Sequence, residues 1–182
     1  MRKSVLALVL LAIVSLAYPW QKHGFTAVYS YEAKSYGLLA LKVKGSEGTI
    51  TFTFINITDG DIYYKVLMNI TVFLGNKLHK TITNEMTLKV PLNVSTIFIT
   101  NETLEGMRKT GNLSCKGSTC IYSATKELKV QKGIILVTKV KEVIDLKNML
   151  AKEVVTKAYL RTAKGLVLGR SVVVMKLVKT SP

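Results

Sequence analysis

Apolar and polar residues alternate with a period of two along most of the chain, the spacing at which side chains of a β-strand return to the same face. The pattern is strongest from Asp61 to Leu74. Ile62, Tyr64, Val66, Met68, Ile70, Val72 and Leu74 share one face, while Asp61, Tyr63, Lys65, Leu67, Asn69, Thr71 and Phe73 share the other. One face reads as core and the other as largely wet. In the preceding strand, Thr49 to Thr58, the alternation slips: Ile50, Phe52 and Phe54 face one way, Ile55 and Ile57 the other. A β-bulge near Phe54-Ile55 repairs the slip. With Asp59-Gly60 as a two-residue hairpin turn, it places Phe54, Phe52 and Ile50 opposite Tyr64, Val66 and Met68.

Gly75-Asn76 marks the next reversal, after which Ile82, Met86, Leu88, Val90 and Leu92 alternate with Thr83, Glu85, Thr87 and Lys89. Phe25 to Ala33 and Gly37 to Lys44 read as an opening hairpin. Val94 to Thr100 reads as a short strand, and Ile121 to Val130, Gly133 to Lys141, Val154 to Arg161 and Leu166 to Val178 as longer ones, with turns at Lys132-Gly133 and Lys164-Gly165. The polar stretch from Asn101 to Cys120 reads as an exposed excursion, dispensable for the fold. Glu142 to Lys152 is the helix candidate, because Val143, Leu146, Met149 and Leu150 fall on one helical stripe, although a strand followed by a loop fits nearly as well. The expected fold is all-β, or β-dominated α+β with one short helix: an antiparallel β-sandwich or half-barrel of about ten strands.

The first residues read differently. Arg2 and Lys3, an apolar run from Val5 to Leu16 and the small residues Ser15 and Ala17 predict a cleaved signal peptide, 1–17, followed by a single exported domain, 18–182. The run is short of the ~18–20 apolar residues that span a bilayer. Export changes the meaning of two other features. Cys115 and Cys120, the only cysteines, predict one disulfide pinning a turn. Five of the eight asparagines, Asn56, Asn69, Asn93, Asn101 and Asn112, stand in Asn-x-Ser/Thr triplets and read as N-glycosylation acceptors, where the 30 Ser/Thr of the chain would place about one by chance.

The chain carries 26 Lys+Arg against 11 Asp+Glu, which attracts anionic surface polymers. Lys outnumbers Arg 22 to 4, however, and most lysines alternate with apolar residues, as in Leu41-Lys42-Val43-Lys44. That pattern belongs to the solvated face of a sheet, so no specific nucleic-acid site is expected. Abundant Lys with two Gln leans towards a thermophile, and with the acceptor sites towards an archaeon. No catalytic motif, metal-ligand spacing or cofactor loop is present. His23 and His79 are isolated, and Asp59-Gly60-Asp61 is explained by its turn. The expectation is a protein that is not an enzyme and holds no cofactor or metal.

What remains is apolar surface. Ile134-Ile135-Leu136-Val137 and Val172-Val173-Val174-Met175 are apolar on both faces, so each predicts a central strand whose second face is covered by a second sheet, the helix or a bound apolar ligand. Ile135, Val137, Val172 and Val174 are the candidate lining of such a ligand site. The segment from Val155 to Leu168, with Tyr159, a charged turn, Gly165 and an aliphatic strand, resembles a hairpin of exported half-barrel proteins of the lipoprotein-carrier (LolA-like) type. That resemblance implies a curved antiparallel sheet wrapped around a helix, with lipid held in the concavity. The expected function is therefore binding or envelope assembly at the cell surface, with envelope proteins, anionic polymers or lipid as partners. Carriage of an apolar ligand and strand exchange in a surface filament are the alternatives.

Overall fold

The computed structural model describes residues 18–40, 43–74, 77–94, 96–131 and 133–182. The expected leader, 1–17, and the Gly75-Asn76 turn lie outside the described residues. Among the described residues nine strands follow one another: β1 (Thr26–Gly37), β2 (Gly45–Thr58), β3 (Asp61–Leu74), β4 (Lys77–Pro91), β5 (Asn112–Lys116), β6 (Thr119–Gln131), β7 (Ile134–Asp145), β8 (Leu150–Thr162) and β9 (Val167–Ser181). One helix, α1 (Asn101–Thr110), joins β4 to β5. The strands form a single antiparallel sheet in the order β4-β3-β2-β1-β9-β8-β7-β6-β5, open at both edges. The all-β reading with one short helix is thus what the chain adopts, with β1 stitching the first four strands to the last five.

The slipped alternation in β2 has its expected cause. A bulge between Phe54 and Asn56 restores the pairing, and Phe54, Phe52 and Ile50 sit opposite Tyr64, Val66 and Met68. Asp59 and Gly60 turn the chain with φ of 54° and 79°, the double left-handed geometry of the tightest hairpins.

Four local expectations are corrected. The expected strand from Gly37 to Lys44 is interrupted at its start: β1 runs on to Gly37, a one-turn 3-10 helix, Leu38–Ala40, follows, and 41–42 lie outside the described residues. A Cβ at Gly37 (φ 62°) would lie 2.4 Å from the Leu168 carbonyl oxygen, so this position has room only for glycine. Val94 to Thr100 makes a lone bridge, Phe98 to Leu150, rather than a strand. Glu142 to Lys152 is not helical. Asp145 ends β7 by accepting hydrogen bonds from the Lys147 N–H at 3.0 Å and the Asn148 amide at 2.9 Å, a turn that competes directly with helix. The stretch from Asn101 to Cys120 is no exposed excursion, since it supplies α1 and β5 and buries Leu104 and Met107.

Helix α1 starts where buried threonines impose it. Thr100 accepts from the Thr103 N–H at 3.0 Å while Thr103 Oγ1 accepts from the Thr100 N–H at 3.2 Å, a reciprocal cap. Both hydroxyls reach the Leu92 carbonyl, at 3.1 and 2.7 Å, which ties the helix start to the end of β4.

The segment before α1 and the chain start together fill the sheet. Trp20 and Phe98 are fully buried, their rings 5.1 Å apart, and Phe98 also meets Phe54 of β2 at 6.1 Å and Tyr64 of β3 at 5.7 Å. The same Phe98 bridges through its backbone to Leu150 of β8. In a flat sheet β3 and β8 would lie about 19 Å apart, four spacings of ~4.8 Å. One residue touching both requires the sheet to curl around it. Trp20, the 97–100 segment and α1 therefore plug one end of a concave inner face.

Removing the plug should cost what core residues cost. We expect Phe98→Ala to destabilise by about 3–5 kcal/mol and Met107→Ala by about 2–5 kcal/mol, with Met68→Ala at the lower end of that range because Met68 is only half-buried. Urea unfolding followed by tryptophan fluorescence measures all three. Burial works to raise the Asp145 carboxyl, but the hydrogen bonds from Asn148, Lys152 and the Lys147 N–H outweigh it and hold the group below its ordinary value. Its contribution to stability is thus complete above about pH 4 and disappears as the pH falls through its lowered value, so Asp145→Ala should weaken the protein at pH 7 more than at pH 2.

Candidate functional site

The strand register decides which side chains look into the concavity. Tyr29 faces Ile50 and Leu177, Tyr31 faces Met175, and Ala33 faces Val173, so these positions share the plugged inner face. Continued across β8 and β7, the same face carries Thr156, Ala158 and Leu160, then Val140, Thr138 and Leu136. The plug covers the end that holds Tyr29, Phe52, Tyr64 and Ile144. At the other end Leu136, Val140, Leu160 and Val173 stay half-buried, and Leu128 of β6, opposite Leu136, is 57% exposed.

This uncovered strip has a graded floor. Ala33, Ser35, Ala158, Ser171 and Gly169 lie side by side on the central strands, with Ser35 and Ser171 hydroxyls 3.1 Å apart. Larger aliphatic side chains stand on either side, Ile70 and Val72 on β3 and Leu136 and Val140 on β7. Small residues in the middle and large ones at the flanks give the uncovered strip, the channel, a low floor and higher apolar sides. Inner-face charges there are cationic: Lys80 on β4, opposite Val72, and Lys126 on β6, opposite Thr138.

Between channel and plug sits a polar step. Tyr29 donates its phenolic hydrogen to the Ala151 carbonyl, and Glu142, paired with Tyr122 and Val154, is 5% exposed on the same face. Burial first, and then the nearby Glu142 carboxylate, push the Tyr29 phenol well above its ordinary value of 10.0. The pair forms a closed polar floor beneath the aromatic plug.

The four residues nominated from sequence, Ile135, Val137, Val172 and Val174, do share one face, but it is the outer one. Ile135 stands opposite Arg161 and Val137 opposite Tyr159, and Val174 opposite Glu32, a charged position of the outer surface. Val137 is nonetheless buried, in a shallow outer depression of about 390 Å³ lined also by Lys139, Tyr159 and Arg161. The true inner-face partner in that run is Val173. The sequence carried no sign of the small-residue floor, because Ala33, Ser35, Ala158 and Ser171 become neighbours only when β9 pairs with β1 on one side and β8 on the other.

Cys115 and Cys120 stand directly opposite each other and form a disulfide across the β5–β6 hairpin, with Cys120 fully buried against α1. The acceptor residues Asn56, Asn69, Asn93, Asn101 and Asn112 are all exposed. His23 and His79 are exposed and apart, and among the described residues no three His, Cys, Asp or Glu side chains gather where they could hold a metal ion. No described helix is long and apolar enough to cross a membrane.

No family model and no curated protein matches this chain. Among solved structures, Rv2717c from M. tuberculosis is similar over 93% of this chain and 97% of its own, with 9% identity and a TM-score of 0.34. That degree of likeness carries no argument about fold or activity.

The Tyr29 hydroxyl provides a check on the floor of the site. Because the folded phenol is raised, stability should be independent of this group below about pH 10 and fall as the pH rises beyond it, as the unfolded chain releases the proton first. Tyr29→Phe should cost about 1–2 kcal/mol at pH 7 through the lost bond to Ala151 and flatten part of the alkaline decline, read from urea midpoints between pH 7 and 11.

Proposed function

We propose that this protein is an exported, N-glycosylated cell-surface or secreted domain that works by binding rather than catalysis, and that it binds an elongated apolar molecule along the uncovered end of its inner face. The observation that supports this most is the channel itself. Its apolar side chains are half-buried on a concave face with a floor of small residues, where a filled core would have been the alternative. Lys80 and Lys126 on the same face favour a ligand with an anionic end, such as a fatty acid. The LolA-like resemblance of Val155 to Leu168 points the same way. The disulfide and the exposed acceptor asparagines accord with life outside the reducing cytoplasm.

A fluorescent fatty acid titrated into the purified protein should bind saturably. Val173→Gln, on the channel side, should weaken binding at least tenfold, whereas Val172→Gln, its outward-facing neighbour, should leave it unchanged. Equal effects of the two substitutions, or no saturable binding, would overturn the reading. Export is tested separately by mass spectrometry of protein from its own source. A mature chain starting at or near Tyr18 with glycan mass on acceptor asparagines is expected, and an unmodified chain starting at Met1 would refute it.

A further inference from the structure

Strand β4 is the long free edge of the sheet. It pairs with β3 along its whole length, has no partner strand on its other side among the described residues, and is exposed at nearly every position whose burial is described. Such an edge invites pairing unless it is guarded. The guards here are confined to its ends: Lys77 and Lys80 at one, Lys89 and Pro91 at the other. The eight central residues, Thr81 to Leu88, carry a single charge, Glu85, which Lys65 of β3 already neutralises at 2.9 Å. Ile82 and Leu88 expose 42% and 36% of their surface there, apolar area that nothing in the described chain covers.

We propose that β4 pairs antiparallel with β4 of a second copy about a twofold axis through Asn84, joining two nine-stranded sheets edge to edge. This goes beyond the binding reading and does not depend on it. The charges select the register. Asn84 is the midpoint of Lys77–Pro91, so centring there lets the full strand pair with itself. Each Ile82 then lies opposite Met86 of the second copy, Lys80 opposite Leu88, Glu85 opposite Thr83 and His79 opposite Lys89. No two like full charges face each other. Moving the axis to Thr83 sets Lys77 against Lys89 in both halves, and moving it to Glu85 sets that carboxylate against its own copy. Both shifts place like charges directly opposite, which destabilises a pairing. The end lysines that would discourage disordered edge association therefore also favour one closed, two-fold arrangement. None of the five acceptor asparagines lies on β4 itself.

Sedimentation of the intact protein across a concentration series tests this, because a dimer in reversible exchange with monomer is expected. Asn84→Lys places two ammonium groups opposite each other on the axis and should raise the dimer dissociation constant at least tenfold, with the far-ultraviolet spectrum of the monomer unchanged. Asn84→Cys should form an intermolecular disulfide under a mild oxidant, since residue 84 meets its own copy, whereas Glu85→Cys, which faces Thr83, should not. Sedimentation as a monomer at every concentration would overturn the proposal, as would a dimer that Asn84→Lys leaves intact or that Asn84→Cys fails to trap.

Discussion

An antiparallel sheet that does not close must cover its inner face with something, and here the covering is a wedge of the chain's own aromatic residues. Phe98 is the pivot. It bridges by backbone to β8 and meets the rings of β2 and β3 edge-on, so the curl of the sheet and the position of the wedge are one and the same contact set. Helix α1, the buried Thr100–Thr103 cap and the Tyr18–Trp20 stack exist to hold that wedge in place; the Tyr18 hydroxyl accepts the Asn101 N–H at 2.9 Å at the helix start. Because the wedge reaches only one end of the concavity, the apolar residues of the other end stay half-buried.

The outer surface is organised by different rules. The lysines that make the chain so basic stand there beside valines and threonines, and where apolar side chains need cover, long polar ones provide it. Lys139 lies over the Tyr159 ring at 5.9 Å, and Arg161 reaches Glu127 at 2.8 Å beside the buried Val137. Exposed pairs of this kind contribute little stability each, commonly under about 1 kcal/mol, but their aliphatic stems shield the sheet from water. This explains how Ile134 to Val137 can be apolar on both faces without a second sheet packed over them.

Periodicity alone revealed the β2–β3 hairpin down to its bulge, because a period-two pattern registers a single inserted residue as a visible slip. It failed where local chemistry overrides pattern. The stripe of Val143, Leu146, Met149 and Leu150 looks helical, yet Asp145 claims the backbone for a turn, and Ile144 and Leu150 are buried as members of two antiparallel strands. Helix α1 was missed for the opposite reason. Only Thr103, Leu104 and Met107 of its ten residues are buried, too few for a recognisable stripe, although Glu102 in its first turn and Arg108 and Lys109 in its last were legible signals. The channel could not be read at all, since its floor is assembled from residues more than a hundred positions apart.

That long-range assembly governs how the molecule comes into being. β1 has β2 on one side and β9 on the other, with Thr26 paired to Ser181 of β9. Its second neighbour does not exist until β9 has been made. Two hairpin arrays can form early and locally, but the seam between them waits for the final strand, a non-local closure that is slow compared with hairpin formation. The order of the strands thus sets a clock: two half-sheets with unpaired edges exist first, and that period ends when β9 docks against β1.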